Sequence, residues 1–124
     1  MIKAKHIGDP VSADDGLRVL IEPAWPKDVG RTRAPLNMWL KDLAPSQKLF
    51  ARLQDNTLNW GDFVLLYSVE LEKNREYFPG LQDHNRNGGL TLLHASSDDD
   101  HNAAVALKMI LEDEDRMAKD PRIV

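Results

Sequence analysis

The sequence predicts a single compact α/β domain with a mainly parallel sheet flanked by helices, and three observations predict it. The apolar runs around Val19-Leu20-Ile21 and from Leu90 to Ala95 lack the alternation of a half-exposed strand, so they read as strands buried on both faces. Strand patterns are followed by segments with helical apolar spacing, the order that favours a parallel sheet covered by helices. The 124 residues are enough to bury one core, and no internal repeat or low-complexity linker divides them.

The elements follow in order. Ile2, Ala4 and His6 alternate with Lys3 and Lys5, which predicts an edge strand from Ile2 to Ile7 that Gly8-Asp9-Pro10 terminates. Asp14-Asp15-Gly16 is a turn signal leading into a strand from Leu17 to Glu22, which Pro23 and Pro26 end. Pro23 to Pro35 holds three prolines around Trp25 without an apolar period and reads as a surface loop. Leu36 to Leu43 fits a helix through Leu36, Trp39, Leu40 and Leu43 and a strand through Leu36, Met38 and Leu40; helix is the favoured reading.

Ser46 is placed to cap a helix running to about Leu53. Asn59 is the expected cap of a longer one, in which Trp60, Phe63, Val64, Tyr67 and Leu71 recur at helical spacing to about Arg75, and Trp39 and Trp60 are assigned to the core. Glu76 to Gly89 is polar and turn-rich and is expected to be a loop with one short helical turn. A strand from Leu90 to Ala95 and a helix from Asp99 to about Arg116, with Ala103, Ala106, Leu107, Ile110 and Leu111 inward, complete the chain.

Composition removes several function classes. Cysteine is absent, which excludes disulfides, thiol nucleophiles and thiolate metal sites and makes a reducing compartment the natural home. No apolar run reaches the length of a signal-peptide core or a membrane span, so a cytoplasmic protein with no membrane partner is expected. A net charge of -4 disfavours generic nucleic-acid binding. There is no GxGxxG, P-loop or GxSxG elbow, and no cofactor is specified.

Two stretches are candidates for a site. His94 to Asn102 crosses from the carboxyl end of a buried strand to a helix start, where ligands bind in open α/β sheets, and Ser96, Ser97, Asp98, His101 and Asn102 would surround the mouth. A structural reading accounts for the same residues, with Ser97 or Asp98 capping the helix while Asp99 and Asp100 complement its dipole. The spacing of Asp98, Asp100 and His101 matches neither an EF-hand nor HExxH, so no metal site is expected. His94 and His101 are the side chains suited to acid or base work near neutral pH. The second stretch, Trp25 to Arg33, sets Lys27, Arg31 and Arg33 against Asp28 and could clamp an anion.

Taken together, Asp15-Gly16-Leu17-Arg18-Val19-Leu20, Trp25-Pro26, Trp39-Leu40-Lys41-Asp42-Leu43-Ala44-Pro45-Ser46 and Asp98-Asp99-Asp100-His101-Asn102 resemble the YeaO-like proteins, the family of domain of unknown function 488, over nearly the whole chain. The resemblance implies a small bacterial or archaeal α/β domain and names no activity. Asp98, His101, Asn102, Lys41 and Ser46 match the family's pattern. Departures are equally clear: the family's Asp-Arg-x-Trp-Pro-Arg-Gly run is here Glu22-Pro23-Ala24-Trp25-Pro26-Lys27-Asp28, and a further basic position is Phe50. One arginine has thus become proline and another lysine, so an anion would be gripped weakly or differently.

The resulting expectation is a pocket for a small anionic metabolite or nucleotide fragment. Trp25, Lys27, Lys41, Ser46 and Asn102 would bind the ligand, and His101 with Asp98 would carry any proton transfer. The competing expectation is a non-catalytic protein-interaction or regulatory domain with a degenerate site.

Overall fold

The computed structural model describes residues 1–30 and 35–123; Arg31 and Arg33 of the expected anion clamp lie outside the described residues. Strands β1 (Lys3–His6), β2 (Leu17–Leu20), β3 (Met38–Trp39) and β4 (Leu90–His94) form an all-parallel sheet in the order β1-β4-β2-β3. Helices α1 (Gln47–Gln54), α2 (Trp60–Leu71) and α3 (Phe78–Arg86) lie between β3 and β4, and α4 (Ala103–Lys119) follows β4. As expected, β1 is an edge strand, Ser46 caps α1 by accepting from the Leu49 N–H, and Asn59 caps α2 by accepting from the Asp62 N–H.

The two faces of the sheet are covered by different means. Alternate strand residues Ile2, Leu17, Val19, Ile21, Leu90 and Leu92 join the main core with Leu49, Phe63, Tyr67, Phe78, Leu81, Ala106 and Leu107 from the helices. The opposite set, Ile7, Leu20 and Leu93, packs against Trp25, Val29, Leu36 and Trp39. That second face is covered by the β1–β2 and β2–β3 connections, which return across it without an α-helix among the described residues.

Arg18 secures both return loops. It is 3% exposed; its guanidinium donates to the Asp15 carboxylate, to the Asp9 carbonyl at 3.3 Å and to the Pro35 carbonyl. Lys3 and Lys5 reach across the sheet to the same Asp15 carboxylate at 3.0 and 2.9 Å. These cations hold the Asp15 carboxyl well below the usual carboxylate range against the opposing effect of its burial. The Asp15 carbonyl in turn accepts from the Thr91 hydroxyl at 2.8 Å. Gly16, at φ 65°, brings this loop so close to β4 that a Cβ there would lie 2.1 Å from the Gly89 carbonyl oxygen, which accepts instead from the Leu17 N–H at 3.0 Å.

Four expectations are corrected. Leu36 to Leu43 is not a helix: Met38 and Trp39 pair with Val19 and Leu20, and Lys41–Leu43 is a 3-10 turn. The open edge of β2 offers the hydrogen bonds that a helix would have made internally, with the Asn37 N–H donating to the Arg18 carbonyl at 2.8 Å and the Leu40 N–H to the Leu20 carbonyl at 3.1 Å. Glu76 to Gly89 is not mainly a loop but contains α3. Proline in its first turn suits a helix start, and the inward period Phe78, Leu81, Gln82 is disguised because Gln82 is polar and satisfies its buried amide on the Leu111 carbonyl at 2.8 Å. Finally, α4 starts at Ala103 rather than Asp99, capped by Asn102. The helix predicted to reach Arg75 gives way at Leu71 to a 3-10 segment, Glu72–Tyr77.

Replacing Asp15 by Asn removes the anion from among three cations and is expected to cost about 3 kcal/mol in urea denaturation at neutral pH. Because the folded-state pKa of Asp15 is depressed, its contribution is full above the ordinary value of 3.8 and is lost progressively as pH falls from there through the folded value, so the difference between the two proteins should begin to shrink below 3.8 and vanish only in strong acid.

Candidate functional site

The chain leaves β2 over the loop-covered face and leaves β4 into α4 on the helical face. Adjacent parallel strands whose connections part to opposite faces open a crevice at their carboxyl ends, the usual place for ligands in open α/β sheets. Here it holds a cavity of about 810 Å³, walled by Phe50, Leu53, Gln54 and Asn56 near the end of α1, by Asn59 and Trp60 at the start of α2, and by the turn from Ala95 to Asn102. A depression of about 600 Å³ adjoins it, lined by His6, residues 23–29 and part of α1. Glu22, Phe50, Gln54 and Ala95 belong to both.

Glu22 stands at the division. It is 4% exposed, and its carboxylate takes one protein hydrogen bond among the described residues, from the Ala95 N–H at 2.7 Å, which ties the end of β2 to the end of β4. Burial pushes its pKa up to about 7, and the Ala95 N–H only partly opposes that. Its backbone carbonyl accepts from the Trp39 indole at 2.8 Å. An acidic residue closing an apolar strand run immediately before a proline was the available sequence signal, and sequence reasoning passed over it.

The expected site residues separate. Asp98, His101 and Asn102 line the larger cavity, and Trp25 and Lys27 line the adjoining depression. Lys41 and Ser46 line neither. The Lys41 ammonium lies 5.7 Å from the Trp39 ring centre; Ser46 caps α1 and is held by Glu70, with its hydroxyl donating at 2.6 Å and its N–H at 2.8 Å. Trp25 packs edge-on to Trp39, with ring centres 5.5 Å apart, and its indole donates to the Val29 carbonyl at 2.6 Å.

Within the turn, most polar atoms already have work. Asp98 accepts from the N–H groups of Asp100 at 2.9 Å and His101 at 3.1 Å, which lowers its pKa and keeps it a carboxylate. His101 Nδ1 lies 3.7 Å from Asp98 Oδ2, beyond hydrogen-bond length, and the half-exposed ring lies against Trp60, with centres 4.8 Å apart and planes tilted by 30°. Asn102 is 2% exposed; its amide oxygen accepts from the Val105 N–H at 3.0 Å and its amide nitrogen donates to the Asp98 carbonyl at 2.8 Å. Asn102, and neither Ser97 nor Asp98, is therefore the cap. His94 is buried beside His6, ring centres 5.5 Å apart, and burial first and His6 second lower its pKa; its Nδ1 accepts from the Ser96 N–H at 3.1 Å.

The fold and this crevice define a small parallel α/β domain with a carboxylate-floored cavity at the strand ends. The chain belongs to the family described as the inactive DUF488-N3 subclade, which it matches over residues 1–122. It is similar to the uncharacterized protein YeaO of Escherichia coli, 28% identical over 106 residues that cover 86% of this chain and 92% of the relative. It is also similar to the uncharacterized proteins Mb3100c of Mycobacterium bovis and Rv3073c of Mycobacterium tuberculosis, each 27% identical over 70 residues, 56% of this chain and 59% of theirs. No solved structure matches. Among the described residues no helix is long and apolar enough to cross a membrane.

The perturbed Glu22 gives a signed pH dependence. Between its ordinary value of 4.5 and about 7 the folded protein binds a proton that the unfolded chain has released, so stability should fall as pH rises through that window and then level off. Glu22→Gln keeps the acceptor for Ala95 and removes the buried charge. Thermal melts across pH should show the variant overtaking the wild type with rising pH, by up to roughly 3 kcal/mol above neutrality.

Proposed function

We propose that this chain is a non-catalytic small-ligand-binding domain whose cavity takes a compact neutral or cationic hydrogen-bonding molecule. One observation carries the reading: a buried carboxyl group, Glu22, sits at the wall of the cavity with a single protein partner among the described residues. A ligand amine, amide or ring N–H would supply a second donor to it. The remaining wall combines apolar Phe50, Leu53, Leu58 and Trp60 with the amides Gln54, Asn56 and Asn59, a mixture suited to orienting a small polar molecule.

The charge of the wall argues against the anion expected from sequence. Its ionisable residues are Glu22, Asp98 and His101, with no lysine or arginine among the described lining residues, while Lys27 serves only the adjoining depression. The three positions at which the family resemblance expects a basic residue and this chain departs from the pattern, Pro23, Lys27 and Phe50, all line that depression, and only Lys27 is cationic. A site emptied of arginine forks agrees with a subclade described as inactive.

The test is a thermal-shift panel on the full chain: nucleobases, nucleosides and small amines against inorganic phosphate and nucleoside monophosphates. A neutral or cationic compound at a hundred times its dissociation constant should add about 2.7 kcal/mol, a rise of several degrees, and should be recovered chemically unchanged. The shift should be lost in Glu22→Leu and in Asn59→Ala, each compared with its own unliganded melt. Response to the anions alone would overturn the ligand class, and conversion of the bound compound would overturn the non-catalytic assignment.

A further inference from the structure

Helix α2 is apolar nearly all round, with eight of its twelve residues hydrophobic, although only one side meets the core. Phe63, Tyr67 and Leu71 are buried, while on the opposite side Leu65 is 63% exposed, Leu66 41% and Val69 63%. A helix hydrophobic on all sides is normally buried on all sides. Successive residues advance about 100° around an α-helix, so Asp62, Leu65, Leu66 and Val69 share one solvent-facing stripe, and exposed Lys73, two residues into the 3-10 segment that continues the helix, falls beside its end. The stripe has an apolar centre, an exposed carboxylate at its amino end and an exposed ammonium roughly 17 Å away at its carboxyl end. Among the described residues Lys73 makes no ion pair, and the Asp62 carboxylate meets only the amide of its cap residue Asn59.

We propose that α2 is a self-pairing surface whose occupant is a second copy of this chain, laid antiparallel about a two-fold axis between residues 67 and 68. Reversing the stripe brings Asp62 beside the partner's Lys73 and Lys73 beside the partner's Asp62, with Leu66 facing the partner's Val69 between them. A stripe negative at one end and positive at the other is complementary to itself only in this orientation, and parallel pairing would juxtapose like charges. The relation is isologous, so each favourable contact occurs twice. Three apolar residues per copy make a small centre, which places the pair among weak, concentration-dependent dimers.

Sedimentation velocity of the full chain over a wide concentration range tests this. The wild-type weight-average mass should climb towards twice the monomer, and the climb should disappear in Leu65→Glu and Val69→Glu, whose folds are verified by circular dichroism. Asp62→Lys and Lys73→Asp, each alone, should stay monomeric, because each sets like charges against one another at both ends. An equimolar mixture of those two variants should regain the dimer, since each supplies the charge the other lacks. A wild-type chain that stays monomeric to its solubility limit overturns the proposal, as does dimerisation undiminished by the glutamates or a charge-variant mixture that fails to associate.

Discussion

The architecture depends on one buried guanidinium. Arg18 lies within the strand that carries the apolar run, and its three nitrogens engage segments from both loops that cross the loop-covered face. A parallel sheet needs cover on both sides, and here one cover is a pair of loops, packed through Trp25, Val29, Leu36 and Trp39 and secured by ionic and carbonyl contacts, with no α-helix among its described residues. Arginine suits the position because its planar fork can satisfy several acceptors at once while remaining charged. Lys3 and Lys5 add cations from β1, so Asp15 draws the edge strand and the central strand to the same point.

That cover fixes where the crevice opens. The chain moves along the sheet in one direction over the loop-covered face, from β1 to β2 to β3, and returns through the helices to β4 on the other. Reversing both direction and face keeps one hand for every crossover. It also inserts β4 beside β2 with their exits diverging, and Glu22 and Ala95 sit at the gap that results. The cavity is thus a by-product of topology, and side chains then determine its polarity and charge.

Much of the fold was legible in the sequence and much of the site was not, for related reasons. β2, β4, α1 and α2 declare themselves through apolar period and through Ser46 and Asn59, because local signals and tertiary burial agree there. The two-residue β3 is legible only once the edge of β2 is known, since its hydrogen bonds are non-local. Gln82 hides α3 by placing a polar side chain in an apolar position. At the site, Asp98, His101 and Asn102 were found because they follow a strand, but Glu22, Phe50 and Trp60 reach the same cavity from three other elements that no spacing rule connects. Lys41 and Ser46 illustrate the converse: expected at the site, they lie at Trp39 and at the start of α1, away from the cavity.

The cap at Asn102 separates scaffold from contents. Had Ser97 or Asp98 begun the last helix, every alteration of the turn would have disturbed the element that seals the main core. As built, Ala95 and Ser96 anchor to Glu22 and His94, residues 96–101 otherwise bond through Ser96 and Asp98, and among the described residues one amide hydrogen bond from Asn102 links the turn to the helix start. The turn is therefore a replaceable panel. Substitutions within it would reshape one wall of the cavity, while the sheet and the last helix keep their frame.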